Sequence, residues 1–433
     1  MLNLKNRLKN VYHRSPLLFK MSAFIYRIKN RISFWGHDRN KDKKTNFQEV
    51  QSLDELLHLL DEHDSKVYGK EIINRYEDDV DRTILLVSHE LSLTGAPIVL
   101  LHLGESLKRR GFQVIIISGL EGDKFSGHAV SMGIPVIYYK GFLKSDMILS
   151  IRNLFFKIVI STIKCVPIIN LLNATDSSVM WWIHEAGESY QRGMAKEMPR
   201  ELAPNIRIYS GGSYARKMLV SRFPRYEVKD LTYGVPDLTR ITTKNDFHID
   251  LPDKKIFALF GTVQHRKGQD VLQNAIERLS NNVRDGCFFL FIGTCCDSEI
   301  TNGLNELTKK YPNNVLYIEE VRLDDLYQLY KEIDFLVCAS RDDPMPVVVA
   351  ESMSLGKPCI CSEFTGSAAV VHHYKSGFVY RHNSSSALAR RIEEACVLTD
   401  DAYERMSRNA RSAFIYVFSE QVFEKKIDRY LEV

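Results

Sequence analysis

At 433 residues, 45% of them hydrophobic, the chain exceeds one ordinary core and suits two domains of roughly 150–200 residues. No stretch reaches the roughly 18 apolar residues of a membrane span, and none of the eight cysteines has C-x-x-C spacing, which argues against a membrane-spanning protein, a zinc ribbon or a disulfide scaffold. The net charge of +4 hides a split: residues 1–44 carry twelve Lys or Arg and two acids for +10, while the remainder, with 46 basic and 52 acidic residues, is −6, so a basic attachment segment precedes a body unsuited to nucleic acid.

Leu17, Leu18, Met21, Phe24, Ile25, Ile28 and Ile32 recur at three- and four-residue spacing, with Lys20, Arg27 and Arg31 between them and Phe34 and Trp35 at the end. This pattern predicts a basic amphipathic helix that can lie in an anionic membrane surface; packing on the body or on a partner chain is the alternative. Charge interrupts the apolar stretch, so it is a poor secretory signal. Residues 36–80 are mostly polar, with one helical pattern from Leu53 to Leu60, and read as a linker; residues 1–80 thus stand ahead of the domains.

A first domain, residues 81–240, opens with the buried strand Thr83–His89, the turn Leu93–Pro97 and an apolar helix ending at Lys108-Arg-Arg-Gly111, a helix stop. Strands at 114–118, 134–138, 158–161, 179–185 and 206–210 follow, a pattern that predicts a parallel sheet wrapped by helices with its binding crevice at the carboxyl ends of the strands. After a polar stretch reaching Pro252 the pattern begins again in a second domain, residues 241–400, with strands at 255–260, 287–292 and 315–318 and helices at 271–279, 323–330 and 388–398. Residues 401–433 are expected to be helical.

Chemistry concentrates in Cys338–Ser354, where a buried strand meets the acidic pair Asp342-Asp343, Pro344 and Pro346, and a helix carrying Glu351. Asp342 or Asp343 is a candidate helix cap. Asp343 and Glu351 are eight residues apart, about 80° around one helix, so they meet a common ligand only if Asp343 lies in the loop before it. Arg266-Lys267-Gly268, after the strand ending at Phe260, puts two cations in a glycine-bounded loop, suited either to a diphosphate or to solvent. Neither GxxxxGK[ST] nor GxGxxG is present, which disfavours nucleotide hydrolases and dehydrogenases. His184 ends its strand either as a structural residue or as a partner for a substrate hydroxyl or leaving group; Glu185 and Glu188 are near it without specifying a nucleophilic triad. Asp176, Glu185 and Asp342 form no recognisable metal set.

Thr94-Gly-Ala-Pro97, His184, Tyr233-Gly-Val-Pro236, Arg266-Lys-Gly268 and the acid–seven residues–Glu spacing from Asp343 to Glu351 together resemble the retaining family 4 (group 1) glycosyltransferases, over roughly residues 82–395. The resemblance implies the α/β GT-B fold, two Rossmann-like parallel-sheet domains facing across a cleft, here with an added N-terminal helical segment and C-terminal helices that return to the first domain. It implies a nucleotide-diphosphate sugar as donor substrate, no metal or other cofactor, and a glycan or lipid-linked acceptor, which the basic amphipathic start of the chain would place at the cytoplasmic face of a membrane. Glu351 would meet the ribose hydroxyls, Arg266 and Lys267 the diphosphate, His184 and Asp343 the donor sugar, and the backbone near Val321 and Leu323 the base. Gly95 and Ala96 would let the first-domain loop approach the phosphate or sugar, with Ser210, Gly366 and Ser367 around the cleft. Two departures stand out: Asp343 replaces the family's first Glu, and Gly261-Thr262 replaces its Gly-Arg, so Arg266 would supply that charge. A fold-sharing epimerase and a non-catalytic carbohydrate-binding or partner-stabilising relative are the alternatives.

Overall fold

The computed structural model describes residues 47–93, 95–187, 196–241, 249–381 and 383–431; the basic amphipathic pattern at residues 1–35, Thr94 and Glu188 lie outside them. Residues 49–80, read from sequence as a linker, are part of the folded body. Ser52 caps helix α1 (Leu53–Asp61), accepting from the Glu55 N–H at 3.1 Å, and the helix buries Leu53, Leu56, Leu57 and Leu60. Strand β1 (Ser65–Tyr68) then joins the first sheet, a strand the sequence reading missed because Ser-Lys-Val-Tyr is short and polar.

The described strands of that sheet continue with β2 (Thr83–Ser88), β3 (Gln113–Ser118), β4 (Val136–Tyr139), β5 (Lys157–Ser161), β6 (Val179–Ile183), β7 (Ile206–Ser210) and β8 (Val228–Asp230). Their order is 1-4-3-2-5-6-7-8; β1 pairs antiparallel with β4, and the other pairings are parallel. The second sheet holds β9 (Lys255–Phe260), β10 (Cys287–Ile292), β11 (Val315–Ile318), β12 (Phe335–Cys338), β13 (Cys359–Ser362) and β14 (Gly377–Tyr380), all parallel, in the order 11-10-9-12-13-14. Runs such as Ile84-Leu-Leu-Val87 and Cys287-Phe-Phe-Leu-Phe-Ile292 are buried throughout because helices cover both faces of such sheets. This is the two-sheet GT-B architecture.

In each sheet the strand order reverses once in the middle, at β2/β5 and at β9/β12, and crevices for ligands open at the carboxyl ends of strands around such points. The helices that bear on the site are α2 (Gly95–Arg109), α3 (Ser213–Arg222), α4 (Gln269–Arg278), α5 (Leu323–Glu332) and α6 (Val347–Ser354). After α7 (Ser385–Cys396) the helical tail, read from sequence as one run from Tyr403 to Tyr430, is α8 (Asp400–Ala413), a π-turn at Phe414–Phe418 and α9 (Glu420–Leu431). The break lets the Val235 N–H reach the Phe418 carbonyl at 2.9 Å. It also turns α9 onto the first sheet's helices, where Arg109 meets Glu424 at 2.9 Å and Phe423 stacks on Trp182. Among the described residues no helix is long and apolar enough to cross a membrane.

Candidate functional site

At the β9/β12 switch the second sheet brings together Arg266, Lys267 and Asp343. The chain leaves β9 through Gly261, forms a one-turn 3-10 helix at His265–Lys267 and enters α4 through Gly268. Gly268 has φ +73°, and a Cβ there would lie 2.1 Å from the Ala339 carbonyl oxygen, so only glycine lets this cationic turn sit against the end of β12. Lys267 Nζ donates to Asp343 Oδ2 at 2.7 Å and Arg266 Nη1 to the same oxygen at 3.3 Å. Arg266 also donates to the Asp342 carbonyl at 2.9 Å.

Asp343 therefore lies in the loop before α6 and does not cap it. Pro346 occupies the cap position without a side-chain bond, so the expected Asp cap is not formed. The reason is electrostatic: two cations outbid the helix N–H groups for the carboxylate. The Asp343 carboxyl is buried, which opposes its ionisation, yet Lys267 and Arg266 hold it below the usual range. Its backbone is pinned as well, taking the Phe364 carbonyl at 3.2 Å and accepting from the Gly366 N–H at 2.9 Å. A Cβ at Gly366 would lie 1.7 Å from the Pro344 carbonyl oxygen, so Gly366 acts here by close packing. Ser367 donates to Met345 Sδ at 3.4 Å.

Glu351, one turn into α6, is buried and accepts a hydrogen bond from Tyr330 Oη at 2.7 Å. Burial pushes its carboxyl up to about 7, against the pull of that hydrogen bond. Val321 lies in the segment between β11 and α5, and Leu323 opens α5, the helix that carries Tyr330. Thr262 accepts from Gln264 Nε2 at 2.8 Å within the turn after β9.

The first sheet presents a second cluster at the ends of β2, β5 and β6. His184 follows β6, its ring 4.6 Å from that of Trp182. Its Nε2 is buried without a hydrogen-bond partner among the described residues. Burial, with His89 nearby, pushes its pKa down to about 3, so the imidazole is neutral at physiological pH. Glu185 Oε2 accepts from the Ile163 N–H at 2.9 Å and the His184 N–H at 3.2 Å, tying β5 to β6. Glu185 is thus a backbone clamp. Burial raises its pKa, with the Ile163 N–H opposing.

Sequence reasoning missed His89, Thr162 and Lys164. Thr162 Oγ1 lies 3.2 Å from His89 Nδ1, and Lys164 Nζ 3.2 Å from His89 Nε2. Thr162 has φ 75° and ψ 158°, a region otherwise almost confined to glycine and costing about 1–3 kcal/mol. The Trp181 indole, donating to its carbonyl at 2.9 Å, and its own N–H, donating to Trp182 O at 2.9 Å, fix it there. The available signal was positional: His89 directly follows β2 as His184 directly follows β6. Gly95 and Ala96 open α2 at this same edge, and nothing lies within 4 Å of a Cβ placed on Gly95, so the space before it is open. Ser210 is absorbed locally, donating to the Gly212 carbonyl at 3.1 Å and to Asp230 Oδ1 at 3.2 Å.

Several contacts join the two edges. Tyr214, in the first turn of α3, donates to Asp342 Oδ1 at 3.4 Å, and the Tyr233 hydroxyl donates to the Met345 carbonyl. The Leu238 N–H donates to Ser354 Oγ at 3.3 Å, and Arg411 grips Asp237 through two bonds of 2.8 and 2.6 Å. Among the described residues no group of three or more His, Cys, Asp or Glu is arranged to hold a metal ion.

Residues 80–204 match the family model "Glycosyl-transferase family 4", and residues 242–413 match "Glycosyl transferases group 1". A putative glycosyltransferase of Bacillus subtilis, YtcC, is 24% identical over 243 residues, 51% of this chain and 59% of the relative. Spore coat protein SA of the same organism is 26% identical over 223 residues, 47% of this chain and 59% of the relative; the chain thus matches well under two thirds of either protein. In three dimensions the chain is similar to Anabaena Alr3699/HepE, solved in complex with UDP and glucose, with a TM-score of 0.67 and 16% identity over 81% of this chain and 99% of that one.

Proposed function

Because the chain is a GT-B-fold relative of the group 1 and family 4 glycosyltransferases, we propose that it moves a sugar, with retention of configuration, from a nucleotide-diphosphate sugar to a hydroxyl of a glycan or lipid-linked acceptor. The observation that carries this reading is the meeting of Arg266, Lys267 and Asp343 at the β9/β12 switch, with the buried Glu351 eight residues on. Two cations in one partly buried turn match a diphosphate, and a buried carboxylate needs polar partners of the kind ribose hydroxyls provide. The UDP bound by the structural neighbour makes UDP-sugars the first donors to try.

In the reaction the bond from the sugar's anomeric carbon to the β-phosphate oxygen breaks. Negative charge develops on the leaving diphosphate, where Arg266 and Lys267 stabilise it. The acceptor oxygen bonds to the anomeric carbon on the same face, and its proton passes to the leaving phosphate. His184, neutral and with Nε2 unsatisfied, is suited to hydrogen-bond a sugar hydroxyl, and the loop at Gly95-Ala96 leaves room for the sugar and phosphate. The basic amphipathic pattern at residues 1–35 favours an acceptor at an anionic membrane surface on its cytoplasmic side.

A second reading, a non-catalytic carbohydrate-binding relative, draws on Asp343 already neutralising the two cations. A thermal-shift and turnover screen of UDP-, GDP- and dTDP-sugars separates them, run on the full chain and on Lys267→Ala and Glu351→Ala. Stabilisation by one donor, lost in both variants and followed by transfer to acceptor, is the expected result. Donor binding without turnover in the presence of acceptors would favour the second reading, and conversion of the donor to an epimer would favour an epimerase. No binding to any donor would sink the proposal.

A further inference from the structure

The ribose carboxylate of the proposed nucleotide site is not a free side chain. Tyr330, fully buried on α5, points its hydroxyl at Glu351 Oε2 across 2.7 Å. Its ring is fixed edge-on against Phe260, the last residue of β9, with centroids 4.9 Å apart. An ionised carboxylate can only accept, so toward that form of Glu351 the tyrosine donates and Oε2 accepts. α5 begins at Leu323, directly after the loop holding Val321, and ends two residues past Tyr330. One rigid helix therefore spans from the loop assigned to the base to the carboxylate assigned to the ribose.

We infer that Tyr330 is a positioning residue of the nucleotide site: its hydroxyl holds Glu351 in the carboxylate form, with Oε1 presented to the ribose hydroxyls, and couples that carboxylate to the helix following the base-side loop. The inference rests on the assignment of Glu351 to the ribose. The titratable groups that face Glu351 are Tyr330 and Tyr327 from α5 and Tyr233 from the segment after β8; Asp343 and Cys338 lie beyond Tyr233, and Cys359 lies beside Tyr330. With Glu351 buried and titrating at about 7, the Tyr330 bond is the contact that opposes protonation.

Removing that donor leaves the burial and takes away the opposition, so the carboxyl gains its proton at higher pH. For a rise of about one pH unit above 7, the ionised fraction at pH 7 falls roughly fivefold, while at pH 9 it changes by only about a tenth. The test is calorimetric titration of the full chain with UDP from pH 6 to 9, comparing native protein, Tyr330→Phe and Glu351→Gln at each pH, so that the nucleotide's own titration cancels. Tyr330→Phe is expected to bind UDP roughly fivefold more weakly than native protein at pH 7 and about equally at pH 9. Glu351→Gln should bind weakly at both.

An equal loss in Tyr330→Phe at every pH, with Glu351→Gln weak, would overturn the role of Tyr330 and leave the ribose assignment standing. UDP binding unchanged in Glu351→Gln would remove the ribose assignment and this inference with it. Should Tyr330→Phe fail to fold, a ring-fluorinated tyrosine at position 330 keeps the shape and donates more strongly. It should move the midpoint of the pH dependence downward, and an unmoved midpoint overturns the inference.

Discussion

Asp343→Asn should make the protein bind UDP more tightly while transferring sugar more slowly. In the structure Asp343 Oδ2 sits 2.7 Å from Lys267 Nζ and 3.3 Å from Arg266 Nη1, so the carboxylate occupies the cations that a diphosphate needs. An incoming diphosphate must displace it or share with it. One additional uncompensated charge about 5 Å from a phosphate is worth about 3 kcal/mol at an effective dielectric of 20. Arg266 is 38% exposed and Lys267 20%, so solvent and salt take back part of that, leaving on the order of 1–2 kcal/mol. The expected tightening for UDP is about five- to thirtyfold, shrinking as salt is raised. Transfer should fall because the amide no longer accepts strongly from the donor sugar's hydroxyls. Calorimetry with UDP at low and high salt, paired with a turnover assay, reads both. UDP affinity unchanged or weakened in a variant that melts normally would refute the competition argument.

Glu351→Gln should stabilise the fold above pH 7 and weaken nucleotide binding. Burial raises the Glu351 carboxyl from 4.5 to about 7, so the stability it carries is fully present below pH 4.5 and lost as pH rises through 7; urea unfolding should show native protein and variant similar at pH 4.5 and separated by up to about 3 kcal/mol at pH 8. Equal pH dependence in the two proteins would contradict this. His184→Ala should lower kcat by roughly a hundredfold with little change in UDP affinity, and should leave the shape of the pH–rate profile between about pH 5 and 9 as in native protein, since burial keeps this imidazole neutral down to about pH 3. Arg411→Ala should cost about 2 kcal/mol in urea unfolding by releasing Asp237 and the Ser354 carbonyl, and Asp237→Ala in that background should add little; full additivity would show that the pair does not act as a unit.

The apolar runs Ile84–Val87, Val114–Ile117 and Cys287–Ile292 determined the two parallel sheets locally, because strands covered on both faces must be apolar at every position. The residue order Arg266-Lys267-Gly268, then Asp343, then Glu351 likewise placed the second site in the loops after β9 and β12, since the carboxyl ends of adjacent strands bring such loops together. What the sequence did not contain was who pairs with whom. Asp343 could serve a helix terminus or a cation, and only the packing of the Gly268 turn against Ala339 brings Lys267 close enough to decide it. Tyr330 and Glu351 are 21 residues apart on different helices, so no spacing rule connects them. Thr162 reads as an ordinary strand-end residue; its backbone strain arises from tertiary hydrogen bonds to Trp181, Trp182 and His89. The helical tail reads as continuous, and the break before Ser419 exists because α9 must turn to cover the first sheet's helices. Local pattern fixes what each segment can be, whereas long-range contacts select among a polar side chain's possible partners, because those energies exist only once the chain has folded.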